Sequence, residues 1–215
     1  MKSCIKHWIK KIPLIRDYLA FMSIYHESHS KWCFLLYRYF PFFIKNKVYW
    51  PIHKSTEVRG NVFVDIGARV GHRPNCIIQG RGLVYVGKYA EIGPNSVVIS
   101  GNHSLTCQEE VVRKETIIGD YCWIASSCVI LAGVTLGPRT VVGAGSVVTK
   151  SFPEGYCVLA GNPARIVKYI SKDDFKPTKP PIEYYGYIRA DKFDKFCNNY
   201  KLIDLNKFRE LQNHR

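Results

Sequence analysis

An aliphatic residue returns every six positions through Ile118, Ile124, Ile130, Leu136, Val142 and Val148. The same beat runs earlier through Val86, Ile92 and Val98. Six is neither the 3.6 of a helix nor the 2 of an alternating strand. It fits a solenoid in which each unit supplies one short strand and one corner. Three units would close one turn of a triangular prism. The bulky first residue of each unit would fill the axis. Second positions are small (Gly87, Gly93, Gly119, Ala125, Gly137 and Gly143), which suggests that the chain bends there, where glycine costs least. Fifth positions (Ala90, Ser96, Cys122, Cys128, Val134, Thr140 and Ser146) would also point inward, with less room. Cys122 and Cys128 are therefore expected as small buried hydrophobes. Turns would stack ~4.8 Å apart, and the ends would need caps. Before Val86 the register is looser, with a slip of two residues near Gly82.

This period resembles that of the hexapeptide-repeat acyltransferases, of the galactoside, maltose and capsular-polysaccharide O-acetyltransferase type. The resemblance covers residues 56–170 and implies a mainly β fold, a left-handed parallel β-helix. The handedness comes from the resemblance; spacing alone does not supply it.

Between Val98 and Ile118 the six-beat fails, so residues 100–117 are read as a loop thrown out at a corner. Long loops on rigid scaffolds carry function. This one holds His103, after Gly101-Asn102. Acyl transfer to a hydroxyl needs a base near neutrality, which suits histidine. In the resembled family the catalytic histidine follows a glycine at the start of such an excursion, which implies His103 as the catalytic base. Its orienting group is left open between Glu109, Glu110 and a backbone carbonyl. Cys107 is read as filler.

The run "WIAS" resembles the family's Trp-Ile-Gly signature, with Ala125 in place of glycine. The resemblance implies that Trp123 lines the pantetheine channel and that the backbone N–H of Ser126 faces the developing oxyanion. Trp123 is equally readable as an aromatic plugging a subunit contact. The run from Gly143 to Ile170 resembles the C-terminal signature. It implies Ala144 on the pantetheine arm, Thr149 and Lys150 near the nucleotide, and Arg165 near phosphate. Acetyl-CoA would be a co-substrate, with no permanently bound cofactor and no metal. Around "GHRPNCIIQGRG", Asn75 matches a sugar-binding asparagine of the family. Arg73 and Arg81 stand where relatives have neutral or acidic residues. They are either exposed arginines or a site for an acidic saccharide acceptor.

Net charge is +14. Residues 1–60 hold eleven Lys/Arg against three Asp/Glu, so the excess is concentrated at the front. This is either a solvated basic face or attraction to an anionic surface or ligand. Residues 1–55 are read as an N-terminal helical cap over the first coil, or as an interfacial segment. Their apolar spacing at Trp8, Ile12, Ile15 and Leu19 is helix-like, with Pro13 weakening the middle. Residues 171–215 are read as a C-terminal tail, partly helical, without assigned chemistry. No run reaches the ~20 apolar residues that span a bilayer. No secretory signal or CxxC pair is read, so the eight cysteines are expected as reduced thiols in a cytoplasmic protein.

These features lead to an acetyl-CoA-dependent O-acetyltransferase acting on a sugar hydroxyl in bacterial surface polysaccharide. A homotrimer, with peripheral contact to the inner face of the membrane and no nucleic-acid partner, completes the expectation. The alternatives are acetylation of serine or an antibiotic, and a non-catalytic trimeric scaffold. A metal hydrolyase of the same fold would need three histidines, and the coil region holds only His72 and His103.

Overall fold

A computed structural model describes residues 12–25, 48–177, 179–200 and 203–213. Its body is a parallel β-helix with three faces. Face one stacks the first part of β2 (Ile77–Val86), β4 (Val97–Ile99), β9 (Val129–Ile130) and β12 (Val147–Val148). Face two stacks the second part of β1 (Glu57–Val64), the second part of β2, β7 (Glu115–Ile118) and β10 (Thr135–Leu136). Face three stacks β3 (Glu91–Ile92), β8 (Trp123–Ile124), β11 (Val141–Val142) and β13 (Cys157–Gly161). Trp123 pairs with Val141, and Val129 with Val147, so one regular turn takes eighteen residues.

All nine aliphatic first positions are fully buried. Burying each such side chain contributes roughly 1.5–3 kcal/mol, so the six-beat is the main source of cohesion. The fifth positions are buried too, and the Cys122 and Cys128 thiols donate to the carbonyls of Gly137 and Gly143 at 3.2 Å. Burial pushes the Cys122 thiol up to about 12, which keeps it protonated and inert.

The bend does not fall where the small residues stand. Left-handed backbone occurs at fourth positions: Tyr89, Asn95, Tyr121, Ser127 and Arg139 all have φ between 55° and 60°, and Gly133 and Gly145 share the place. The second position is small for another reason. A Cβ on Gly137 would lie 2.0 Å from the Pro153 carbonyl oxygen, so the turns pass too closely there for a side chain.

The slip near Gly82 is a bulge. Gly60 pairs with Gly80 but Val62 pairs with Val84, leaving two extra residues on β2. The bulge is pinned by the Gly82 N–H donating to Ser100 Oγ at 3.0 Å.

The chain leaves the prism through β13 and the antiparallel β14 (Ala164–Tyr169), turning at Gly161. The described residues beyond 180 fold back onto the prism, those from 205 to 213 over face two. They form the small hairpin of β15 (Tyr184–Tyr185) and β16 (Ile188–Arg189), followed by α2 (Phe193–Tyr200) and α3 (Leu205–Asn213). Phe208 packs on Phe63 and Tyr85, and Gln212 Nε2 donates to Asp65 at 2.9 Å. Helix α1 (Pro13–Tyr25) rests on this tail, with Phe21 stacked on Tyr187 and Tyr184 Oη donating to the Asp17 carbonyl at 2.9 Å. Pro13 begins this helix instead of weakening its middle, because a first-turn residue needs no N–H. Trp8 and most of the basic front lie outside the described residues.

Candidate active site

The interruption of the six-beat is an antiparallel ribbon, β5 (Gly101–His103) against β6 (Val111–Arg113). Its base closes where the Lys114 N–H donates to the Ser100 carbonyl at 2.8 Å. Its tip closes where the Ser104 N–H donates to the Glu110 carbonyl at 2.9 Å. His103 stands exposed on β5, and its Nδ1 lies 2.6 Å from the carbonyl oxygen of Gln108. A carbonyl only accepts, so Nδ1 carries the proton and Nε2 of the neutral ring is left as an acceptor. The orienting group is thus main chain, and neither Glu109 nor Glu110 is needed for it.

The expected site residues divide between two edges of the prism. The hairpin edge joins faces one and two and carries Arg81, His103, Thr149 and Lys150. Lys150 Nζ lies 5.6 Å from the Phe152 ring centre. The opposite edge joins faces three and one and carries Arg73, Asn75, Ser126 and Ala144. Successive turns are bonded there, Ser127 N–H to the Pro94 carbonyl at 2.9 Å and Gly145 N–H to the Ser126 carbonyl at 3.0 Å. Ser126 and Ala144 are third positions, whose amides stand off the inter-turn ladder. Pro94 and Pro138 fill the same place without an N–H. Asn75 and Asn95 are linked side chain to side chain at 3.1 Å along this edge.

Trp123 is 55% exposed on face three, between Glu91 and Val141. Arg165 is exposed on β14, opposite Ala160. One chain therefore gathers Trp123, Ser126, Ala144, Asn75 and Arg73 on one side, and His103 with Arg81 and Lys150 on another. It does not bring His103 to Ser126. Arg73 and Arg81 also fall on different edges, because strand Ile77–Gln79 runs the width of face one between them.

A backbone carbonyl was among the orienting groups that the sequence left open, and that of Gln108 takes the place. Arg113 was missed in the sequence; it pairs with Gly101 and so projects from the same ribbon face as His103. Alternation in "VVR" was the available signal.

Near the opposite edge, Arg69 pairs with Glu91, and His72 Nε2 lies 3.5 Å from Glu91 Oε1. Burial works to raise the Glu91 carboxyl, but His72 and the Arg69 guanidinium outweigh it and hold it below the usual carboxylate range. Among the described residues no group of three or more His, Cys, Asp or Glu side chains is placed to hold a metal ion. No described helix is long and apolar enough to cross a membrane. A cavity of about 810 Å³ lies between α1 and the tail, lined by Arg16, Lys179 and Arg189, away from His103.

Residues 115–150 match the bacterial transferase hexapeptide family (six repeats). A serine acetyltransferase of Bacillus pumilus is 31% identical over 75% of this chain and 75% of its own length. A galactoside O-acetyltransferase of Lactococcus lactis is 31% identical over 43% of this chain and 46% of its own. A putative colanic acid biosynthesis acetyltransferase of Escherichia coli is 36% identical over 40% and 48%. The chain thus spans about half the length of the latter two relatives. With its nine buried aliphatic first positions and a relative matched over three quarters of both chains, the chain belongs to the bacterial transferase hexapeptide family.

Proposed function

We propose that the chain is an acetyl-CoA-dependent O-acetyltransferase that works as a homotrimer on a saccharide hydroxyl. The observation that carries this is the His103 ring, tied through Nδ1 to a carbonyl and left with Nε2 to accept a proton. Nε2 takes the hydroxyl proton as the oxygen attacks the thioester carbonyl. The carbonyl electrons move onto oxygen, where the Ser126 N–H supplies a fixed donor. Collapse breaks the C–S bond, and the thiolate of coenzyme A recovers the proton from the imidazolium.

The division of site residues between two edges supports a trimer. A neighbour's opposite edge, set against the hairpin edge, would complete the site. Face one offers an outward stripe of Ile77, Val97, Val129 and Val147 in register. Face three offers Trp123, Val141 and Val158, while the tail covers face two. Trp123, Ala144, Thr149, Lys150 and Arg165 are assigned to acetyl-CoA, with Asn75 to the acceptor. Acetyl-CoA is a cytoplasmic metabolite, which supports a cytoplasmic enzyme. Relatives named for galactoside and colanic acid chemistry favour a saccharide. The relative named serine acetyltransferase favours serine as the second reading.

The test is thiol release from acetyl-CoA against a panel of saccharides together with L-serine. A saccharide should be turned over, and His103→Ala should abolish the release. Undiminished turnover by that variant, or serine as the sole acceptor, overturns the proposal. Sedimentation should show three chains, reduced by Val129→Asp.

A further inference from the structure

We propose that Arg81 and Arg113 form an anion-binding subsite beside His103, so that the acceptor is a saccharide carrying a carboxylate or phosphate near the hydroxyl that is acetylated. This rests on the transfer reading above. Three independent features of the fold converge on that spot.

The first is the two-residue bulge in β2. Between the Gly60–Gly80 and Val62–Val84 pairs, the partner strand supplies only Asn61. Of the three residues that β2 sets against it, only Arg81 is exposed, while Leu83 is buried. The bulge is held firmly: Gly82 N–H donates to Ser100 Oγ, Asn61 Nδ2 donates to the Gly82 carbonyl at 3.3 Å, and Leu83 N–H donates to the Lys114 carbonyl at 3.2 Å. A Cβ on Gly82 would lie 2.2 Å from that same carbonyl oxygen, so the tight fit demands glycine. Bulges of this kind re-aim side chains.

The second is the register of the ribbon. His103 pairs with Val111 and Gly101 with Arg113, so His103 and Arg113 are diagonal neighbours on one face. The third is Gly101 itself. A Cβ built there would meet the Arg81 Cβ at 2.8 Å, so Arg81 occupies the place that a side chain at 101 would take. Arg81 thus lies against the ribbon face that carries His103 and Arg113.

Neither guanidinium has an acidic partner among the described residues. The neighbouring Arg59 differs, since its Nε pairs with Glu57 at 2.8 Å. Glu109 and Glu110 sit beyond His103 toward the tip of the ribbon. Two unpaired guanidiniums beside a general base suit a planar or tetrahedral oxyanion, which they can hold bidentately. The phosphates of coenzyme A are poor candidates, because the pantetheine arm separates them from the thioester that must lie at His103. The charge there is thus available to the acceptor.

The experiment compares sialic-acid and glucuronic-acid oligosaccharides with their carboxyl-reduced forms, and a phosphodiester-linked oligosaccharide with its dephosphorylated form. Thiol release is measured for the wild type, Arg81→Gln, Arg113→Gln and Arg81→Lys. The wild type should favour a charged member, and whichever pair shows the preference identifies carboxylate or phosphate. Each Gln variant should raise the KM for that acceptor roughly tenfold while the KM for acetyl-CoA stays within about twofold. Arg81→Lys should recover part of the loss, and added salt should raise the acceptor KM. Gly101→Ala, which displaces Arg81, should behave as Arg81→Gln does. Equal turnover of charged and neutral partners, or matching rises in both KM values, overturns the subsite alone. Release with no member overturns the transfer reading beneath it.

Discussion

The Nδ1 of His103 and the carbonyl oxygen of Gln108 are 2.6 Å apart, and this contact alone selects the ring's tautomer. Because the partner is main chain, the Gln108 side chain is dispensable. Gln108→Ala should keep kcat within about twofold, whereas His103→Asn, which cannot act as a base, should lower it by roughly 10²–10⁴. A large loss in Gln108→Ala, measured by thiol release, would contradict this account of the tautomer.

Third positions of the repeat tolerate proline, as Pro94 and Pro138 show. Ser126→Pro should therefore leave the melting temperature nearly unchanged while deleting the N–H that we propose faces the oxyanion. Its kcat is expected to fall about 10²–10³-fold. The residue before it, Ala125, follows strand β8 and can meet the extended backbone that proline requires. Unaltered kcat in a folded Ser126→Pro protein would show that another donor faces the oxyanion.

Second-position glycines should differ in their response to alanine. Gly137→Ala sets a methyl 2.0 Å from the Pro153 carbonyl and should cost about 2–4 kcal/mol in chemical denaturation. Gly143→Ala meets the Leu159 oxygen only at 3.3 Å and should cost less than about 1 kcal/mol. Equal losses at the two sites would argue against close approach between turns as the reason for small residues.

Glu91 predicts an acid dependence. Its folded-state carboxyl lies below the usual value, so the unfolded chain binds its proton more readily. The stability that it contributes is complete above the unfolded-state value and is lost as pH falls through the folded one. Glu91→Gln should thus be less stable than the wild type at neutral pH, with a flatter acid limb, so that the difference between the two shrinks below about pH 4.5. Parallel pH–stability curves for the two proteins would refute this.

Much of the prism was legible because its cause is periodic. The aliphatic first positions, the inward fifth positions and the slip near Gly82 all follow from how far the chain travels between faces. The bend was not legible, since Tyr89, Tyr121, Ser127 and Arg139 are not residues whose side chains announce a left-handed backbone. Their conformation is imposed by the turns above and below, at a cost of about 1–2 kcal/mol each. The ribbon was seen as an interruption, and its strands went unrecognised, so Arg113 was passed over while Arg73 was grouped with Arg81. The tail's role as cover for face two depends on contacts such as Phe208 with Phe63, separated by most of the chain.

Val97 pairs with Val129 across the ribbon, and Val129 pairs with Val147 beyond it, with no disturbance of the ladder. The inserted residues are absorbed entirely outside the stacked turns. Changes in that appendage can therefore accumulate with little penalty to folding, so a lineage can explore new chemical preferences while its scaffold stays fixed.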